Sequence, residues 1–93
     1  MTVGRTLEAA LGLITGDRAK QHGDYELNHA NIAALWNAYL RIRREPGAEL
    51  TPADVALMMA LLKVARTQLG GFNPDDYCDA AAYLDLAREL AHE

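Results

Sequence analysis

Four charged side chains that could do chemistry lie close together in the second half of the sequence. Lys63 and Arg66 are three residues apart in one apolar stretch, and Asp76 and Asp79 are three residues apart in the next. Residues three apart share a helix face, so each pair would present its two charges together. Carboxylate oxygens ligate hard divalent cations, whereas Lys and Arg side chains bind phosphate oxygens. This pattern predicts either a metal and phosphate site or two ion pairs between helices.

The turn between the two stretches decides how these charges meet. Residues 70–73 (GGFN) are typical of a tight turn, which would fold the flanking helices into an antiparallel hairpin. In such a hairpin Arg66 comes near Asp76, and Lys63 comes near Asp79. As exposed ion pairs they would stabilise the fold by about 0–1 kcal/mol each. The spacing alone is compatible with both interpretations.

A second polar group surrounds the turn between the first two predicted helices. It contains four candidates for an accessory role at the hairpin site, and Tyr83 of the last predicted helix is a fifth. The four are Arg18, Asp24, Asn28 and His29. His22 and His29 are seven residues apart across a turn, which is not a zinc-ligand spacing. We interpret the group as a hydrogen-bonded corner in which His29 fixes the loop to a neighbouring helix. Tyr83, one turn beyond Asp79, is predicted as a core tyrosine in preference to a substrate contact.

Composition and charge restrict the class of protein. The chain has 93 residues, 51 % hydrophobic residues, one cysteine and a formal net charge of −4. This length fits one domain, and the acidic balance argues against a nucleic-acid partner. No apolar run is long enough to span a membrane, and the N-terminus lacks the pattern of a signal peptide. We therefore expect no membrane association and a cytoplasmic location.

Four helices must position the charged residues. Hydrophobic periodicity and capping residues predict helices at about 6–21, 27–44, 52–69 and 74–91, with no strand. The start of the second helix is predicted only to within Tyr25–Asn28. Because the connecting loops are short, we expect an all-α domain, residues 1–93, folded as a four-helix antiparallel bundle.

The third predicted helix is the centre of this fold. Residues 51–54 (TPAD) combine a capping threonine, a proline at the first helical position and an acid that completes a capping box. The residues that follow are apolar on most sides of the helix. Such a helix is buried either by several neighbouring helices or at a subunit interface. It is expected to end at Gly70-Gly71.

The remaining expectations concern which side chains face the core. Trp36 is predicted as a core anchor, and Cys78 as a small core residue. Arg43 and Arg44, at the end of the second helix, are expected to face water. The last helix is expected to direct six residues toward the core: Tyr77, Ala80, Ala81, Leu84, Ala87 and Leu90.

Several motifs, taken in order, resemble a family of small phage and prophage proteins of unknown function. They are Arg18, residues 23–25 (GDY), Asn28-His29, residues 32–40 and residues 54–66, followed by Asp76, Asp79 and Tyr83. More loosely, the hairpin resembles the all-α MazG-like nucleoside triphosphate pyrophosphohydrolases, which hold Mg²⁺ with carboxylates on two adjacent helices. That resemblance implies that Asp76 and Asp79 bind Mg²⁺ and that Lys63 and Arg66 bind phosphate. The second acid pair of those enzymes is absent here.

Two functions from different classes follow. The first is a non-catalytic interaction module that forms a homo-oligomer and binds a phage or host protein, with the hairpin charges as structural ion pairs. The alternative is a MazG-like Mg²⁺-dependent nucleotide pyrophosphohydrolase, or a degenerate nucleotide-binding relative. The shortage of acids in the third helix favours the first function. The concentration of charge on an otherwise Ala- and Leu-rich hairpin favours the second.

Overall fold

The computed structural model describes residues 25–92, which form three α-helices and no strand. Helix α1 spans Tyr25–Ile42, α2 spans Pro52–Arg66 and α3 spans Pro74–Ala91. The prediction of an all-helical chain is confirmed for these residues. The predicted helix at 6–21, and with it the fourth member of the bundle, lies outside the described residues. None of the three helices is long and apolar enough to cross a membrane.

The helix starts follow from their capping residues. Thr51 Oγ1 accepts a hydrogen bond from the Asp54 amide at 3.1 Å, and the Asp54 carboxylate accepts one from the Thr51 amide at 2.8 Å. These two bonds form the predicted capping box of α2. At the start of α3, Asn73 Oδ1 accepts a hydrogen bond from the Asp75 amide at 3.0 Å. Both helices thus begin where their amide groups gain side-chain acceptors.

The end of α2 differs from the prediction. The helix ends at Arg66, three residues before the predicted end at 69. The Thr67 hydroxyl donates a hydrogen bond to the Val64 carbonyl at 2.6 Å, and such local bonds compete with helix continuation. Gly70 then takes a φ of 71°, a left-handed conformation in which the missing side chain avoids strain. The glycine therefore turns the chain after the helix has ended.

Helix α2 is the central element and packs between α1 and α3. The buried apolar residues are Ile32 on α1, Ala56, Met58, Ala60 and Ala65 on α2, and Ala87 on α3. Most of these side chains are small, which allows the helix axes to approach closely. The apolar character of α2 is therefore explained to a large extent by two neighbouring helices of its own chain.

Trp36 anchors α1 on α2. Its indole Nε1 donates a hydrogen bond to the Met58 carbonyl at 2.6 Å, and its ring is half-buried between the two helices. A buried indole needs such an acceptor for its N–H. This geometry matches the anchoring role expected from the sequence.

Helix α3 is rotated from its expected orientation. Tyr77 and Leu84 are 54 % and 53 % exposed, and Ala81 and Cys78 are also exposed, so the prediction that they face the core is wrong. The expectation holds for Ala87, which is buried, and for Ala80 and Leu90, which are half-buried. The face directed toward α2 carries Asp76, Ala80, Tyr83 and Ala87, which are spaced by four, three and four residues. Successive side chains of a helix point in directions about 100° apart around its axis. Burying Asp76 therefore turns its neighbour Tyr77 toward solvent.

The close contact at Ala87 can be tested by enlarging the side chain. Ala87 is 3 % exposed, so Ala87→Leu is expected to lower the free energy of unfolding by about 1–3 kcal/mol through overpacking. Urea unfolding followed by circular dichroism measures the change. The matched control is Ala82→Leu on the exposed side of the same helix, which should change stability by less than about 0.5 kcal/mol. Equal effects of the two substitutions would contradict this packing.

Candidate functional site

The four hairpin charges form two ion pairs between α2 and α3. Arg66 Nε lies 3.2 Å from Asp76 Oδ1, and Lys63 Nζ lies 3.1 Å from Asp79 Oδ2. The i, i+3 spacing on each helix is the same, so the antiparallel arrangement brings each cation against one acid. These are the contacts that the ion-pair interpretation of the sequence expects. Whether the residues also bind a metal and phosphate stays a prediction.

The two pairs differ in their exposure to water. The side chain of Asp76 is 5 % exposed, whereas that of Asp79 is 47 % exposed. A buried carboxylate is costly unless a cation and hydrogen-bond donors accompany it, which Arg66 supplies here. In the second pair Lys63 is 17 % exposed, but the open Asp79 carboxylate places the pair at the surface, where ion pairs contribute little. Mg²⁺ ligation by Asp76 would place a second cation beside Arg66 or displace Arg66 from the carboxylate.

A wider metal centre does not form in the part of the chain that the structure describes. Within residues 25–92 there is no group of three or more His, Cys, Asp or Glu side chains arranged to hold a metal ion. Mg²⁺ accepts as few as one or two protein carboxylates when water and substrate phosphates supply the rest. The predicted Mg²⁺ site would therefore contain two protein carboxylates, those of Asp76 and Asp79.

The accessory residues are only partly brought together. His29 is exposed, and its Nδ1 lies 2.6 Å from the Tyr25 carbonyl of the same helix. The expectation that His29 fixes the loop to a neighbouring helix stays a prediction, because that loop lies outside the described residues. Asn28 Oδ1 is buried and has no hydrogen-bond partner among the residues of the structure. Tyr83 is half-buried on the α2-facing side of α3. Arg18 and Asp24 lie outside the described residues.

A second polar cluster joins α1 to the start of α2. Asp54 is only 9 % exposed. Its Oδ1 accepts a hydrogen bond from the Tyr39 hydroxyl at 2.6 Å, and its Oδ2 accepts one from Arg43 Nη1 at 2.8 Å. Oδ2 also accepts the Thr51 amide of the capping box. The expectation that Arg43 faces water is wrong, because this carboxylate draws the guanidinium inward.

Arg43 also holds the loop that leads into α2. Its Nη2 donates hydrogen bonds to the carbonyls of Pro46, at 3.3 Å, and of Ala48. Several donors of one rigid guanidinium can satisfy several acceptors at once, which suits Arg better than Lys. The chain between α1 and α2 is thereby wrapped around a single side chain.

The electrostatics of this cluster keep it in one protonation state. The hydrogen bond from Tyr39, followed by that from the Thr51 amide, lowers the pKa of Asp54 from 3.8 to about 2, although desolvation opposes the shift. Burial, followed by the hydrogen bond to Asp54, raises the pKa of Tyr39 from 10.0 to about 12. A general acid or base needs a pKa near the working pH. At neutral pH the cluster is structural.

The sequence contains a local signal for this cluster besides the capping box. Tyr39 and Arg43 are four residues apart, so they share one face of α1. A cation and a hydroxyl on one face predict a carboxylate on the facing helix. Capping alone is enough to explain Asp54 in the sequence, but a carboxylate can accept more hydrogen bonds than one cap uses.

Comparison with known families identifies the chain. A family model described as a domain of unknown function (DUF6378) matches residues 5–91, which is nearly the whole sequence. The chain belongs to this family. The chain is also similar to proteins of two bacteriophages, which confirms the expected resemblance to phage proteins. The looser likeness to MazG-like enzymes stays a prediction.

The two relatives are each described as "Gene 55 protein". The one from Mycobacterium phage L5 is 43 % identical over 84 residues, covering 90 % of this chain and 51 % of the relative. The one from Mycobacterium phage D29 is 34 % identical over 87 residues, covering 94 % of this chain and 54 % of the relative. The chain therefore spans about half the length of these relatives. No solved structure matches it.

The Asp54 cluster predicts a specific dependence of stability on pH. Because the pKa of Asp54 is lowered to about 2, its carboxylate stabilises the folded chain above about pH 4, and this contribution is lost as the pH falls toward 2. Asp54→Asn should therefore reduce stability at pH 7 and approach the wild type in acid. Urea unfolding at several pH values measures the difference. Asp85→Asn, at an exposed site, is the control; a pH-independent loss in Asp54→Asn would contradict the prediction.

Proposed function

We propose that this member of the DUF6378 family is a non-catalytic helical interaction module that self-associates and also binds a phage or host protein. In this proposal the α2–α3 hairpin is a scaffold, and its four charged residues set the register between the two helices. The module would act in the cytoplasm. The similarity to proteins of two mycobacteriophages supports a phage setting for this role.

The observation that carries the proposal is the complete pairing of the hairpin charges. Asp76 and Asp79 each have a cation from α2 within 3.2 Å. The more buried acid, Asp76, is paired with Arg66, whose guanidinium is only partly exposed. Losing one partner of a fully buried pair costs about 3–5 kcal/mol, and the partial exposure of Arg66 reduces that value. A structural role is sufficient to explain these residues.

The surface of the hairpin adds independent support. Several large apolar side chains on α3 and in the turn before it are exposed, including Phe72 at 81 %. Contiguous exposed apolar surface is typical of sites that bind another protein. An interaction module needs such a surface, whereas a hydrolase needs a cleft with convergent polar groups.

A second candidate function, Mg²⁺-dependent hydrolysis or binding of a nucleotide, is favoured by one observation. Asn28 Oδ1 is buried without a hydrogen-bond partner in the described part of the chain. The Tyr39–Asp54 and Trp36–Met58 contacts show that α1 runs antiparallel to α2, so Asn28 lies toward the Arg66 end of α2. A buried amide oxygen without a partner, near a cluster of charges, is typical of a binding site in which the ligand supplies the missing donor. In this candidate, Asp76 and Asp79 would bind Mg²⁺, and Lys63 and Arg66 would bind phosphate.

Exchanging the charges of the surface pair tests the structural role. Lys63→Glu and Asp79→Lys should each lower the free energy of unfolding by up to about 1 kcal/mol, since each places like charges together. The double variant restores opposite charges and should recover most of the loss, as a double-mutant cycle measures. Asp85→Lys combined with Lys63→Glu is the control and should show no coupling. Stabilisation by either single substitution would contradict the structural role.

Ligand binding separates the two candidate functions. Under the proposal, the melting temperature should not change with millimolar Mg²⁺ or Mn²⁺ together with nucleoside triphosphates, since ligands stabilise only the folds that bind them. A thermal-shift assay measures this. Stabilisation that disappears in Asp79→Asn, while the exposed Asp85→Asn retains it, would overturn the interaction module and support nucleotide binding.

A further inference from the structure

The outer surface of α3 carries a regular row of exposed residues. Tyr77, Ala81, Leu84, Arg88 and Ala91 follow one another at spacings of four, three, four and three, and all five are exposed. We propose that this row, here called the α3 seam, is the surface through which two copies of the chain pair, with their α3 helices antiparallel. The inference rests on the proposed self-association and names the surface that performs it.

The seam has the geometry that a second helix needs, and it carries the large apolar side chains Tyr77 and Leu84. Residues that alternate by four and three positions form one narrow stripe along a helix, and helices that pack side by side meet along such a stripe when it is apolar. The other face of α3 already packs on α2 through Asp76, Ala80, Tyr83 and Ala87. The seam is about 100° away from that face. A second helix could therefore pack on it without disturbing the hairpin.

The charge on the seam selects the relative direction of the two copies. In a parallel pair Arg88 would face Arg88 of the other copy, which would bring like charges together. In an antiparallel pair centred between residues 82 and 83, Arg88 faces Tyr77 of the second copy, and guanidinium groups bind aromatic faces favourably. The neighbouring Glu89 lies 3.4 Å from Arg88 in an exposed pair, which is too weak to hold it.

Side-chain size makes the seam complementary to itself. The same antiparallel register places Leu84 against Ala81 of the second copy, and Ala81 against its Leu84. Large residues then face small ones on both sides of the two-fold axis, as an isologous interface requires. No residue of a different partner is needed to fill the space, which favours a second copy as the occupant.

The exposed apolar area of the seam limits the size of the interface between two copies. Phe72 packs beside Tyr77, with ring centroids 5.8 Å apart, and extends the apolar surface at the start of α3. Given the exposed fractions of Phe72, Tyr77 and Leu84, these side chains offer roughly 350 Å² per chain. A standard interface buries about 800 Å² per partner, so these residues supply about half. We therefore expect a weak dimer whose population depends on protein concentration.

The test compares two leucines of the same helix in the full chain. Leu84 lies in the seam, whereas Leu86 is 48 % exposed outside it. Sedimentation equilibrium between about 5 and 500 µM should give a dimer for the wild type and for Leu86→Glu. It should give at least a tenfold larger dissociation constant for Leu84→Glu. Circular dichroism of each variant checks that the helices are retained.

The possible results test the α3 seam and the proposed self-association separately. Equal weakening by Leu84→Glu and Leu86→Glu, or no weakening by either, would overturn the α3 seam while leaving the self-association of the proposed function intact. A monomeric wild type at 500 µM would overturn both the seam and the proposed self-association. If Leu84→Glu alone unfolds the chain, Leu84→Ala serves as the second variant, since it removes seam area without adding charge; unchanged dimerisation in Leu84→Ala would overturn the seam.

Discussion

A buried carboxylate must have a cationic partner, and two such carboxylates determine how the three described helices pack. Asp54 at the start of α2 binds Arg43 and Tyr39 of α1, while Asp76 at the start of α3 binds Arg66 at the end of α2. The helix surfaces between these points are rich in alanine and would allow several similar packings. Directional bonds to charged groups distinguish one packing from its neighbours, since shifting a helix by one turn would leave a buried charge unpaired.

Both ends of α2 are therefore held by a buried carboxylate paired with a guanidinium, and α2 supplies the acid at one end and the cation at the other. At its first turn, Asp54 combines a capping box with the contact to α1, and Arg43 binds the connecting loop at the same point. At its last turn, the Arg66 guanidinium reaches across to α3. Cations near a helix C-terminus and acids near an N-terminus also favour the macrodipoles of α2 and α3. Short loops between the helices suffice because the side chains, and not the loops, define the packing.

The helix starts and the turn were more predictable from the sequence than the direction in which each helix face points. The caps at Thr51 and Asn73 depend on a few adjacent residues, so α2 and α3 begin where the sequence predicts. The hairpin ion pairs were predictable because two i, i+3 pairs flank a recognisable turn. For α3 two conflicting expectations follow from the sequence, since both its apolar row and its Asp76 row have helical spacing. The predicted contact of Asp76 with Arg66 is the one that decides which row faces α2. The Asp54 cluster joins residues 11 and 15 apart in sequence, and its local signal is the shared face of Tyr39 and Arg43.

The rotation of α3 connects the packing to the function. Turning the helix by about 100° would bury Tyr77 and Leu84, which are half-exposed now, and would gain roughly 1 kcal/mol for each. The same rotation would expose Asp76 and leave Arg66 without this acceptor. The fold thus keeps a buried ion pair and leaves apolar area in water, although ion pairs and apolar contacts of equal volume are often close in energy. The observed orientation is favoured because an unpaired buried carboxylate costs more than the two half-exposed side chains would gain by burial. It leaves Tyr77 and Leu84 on the outer surface of α3, where the proposed partner would contact them.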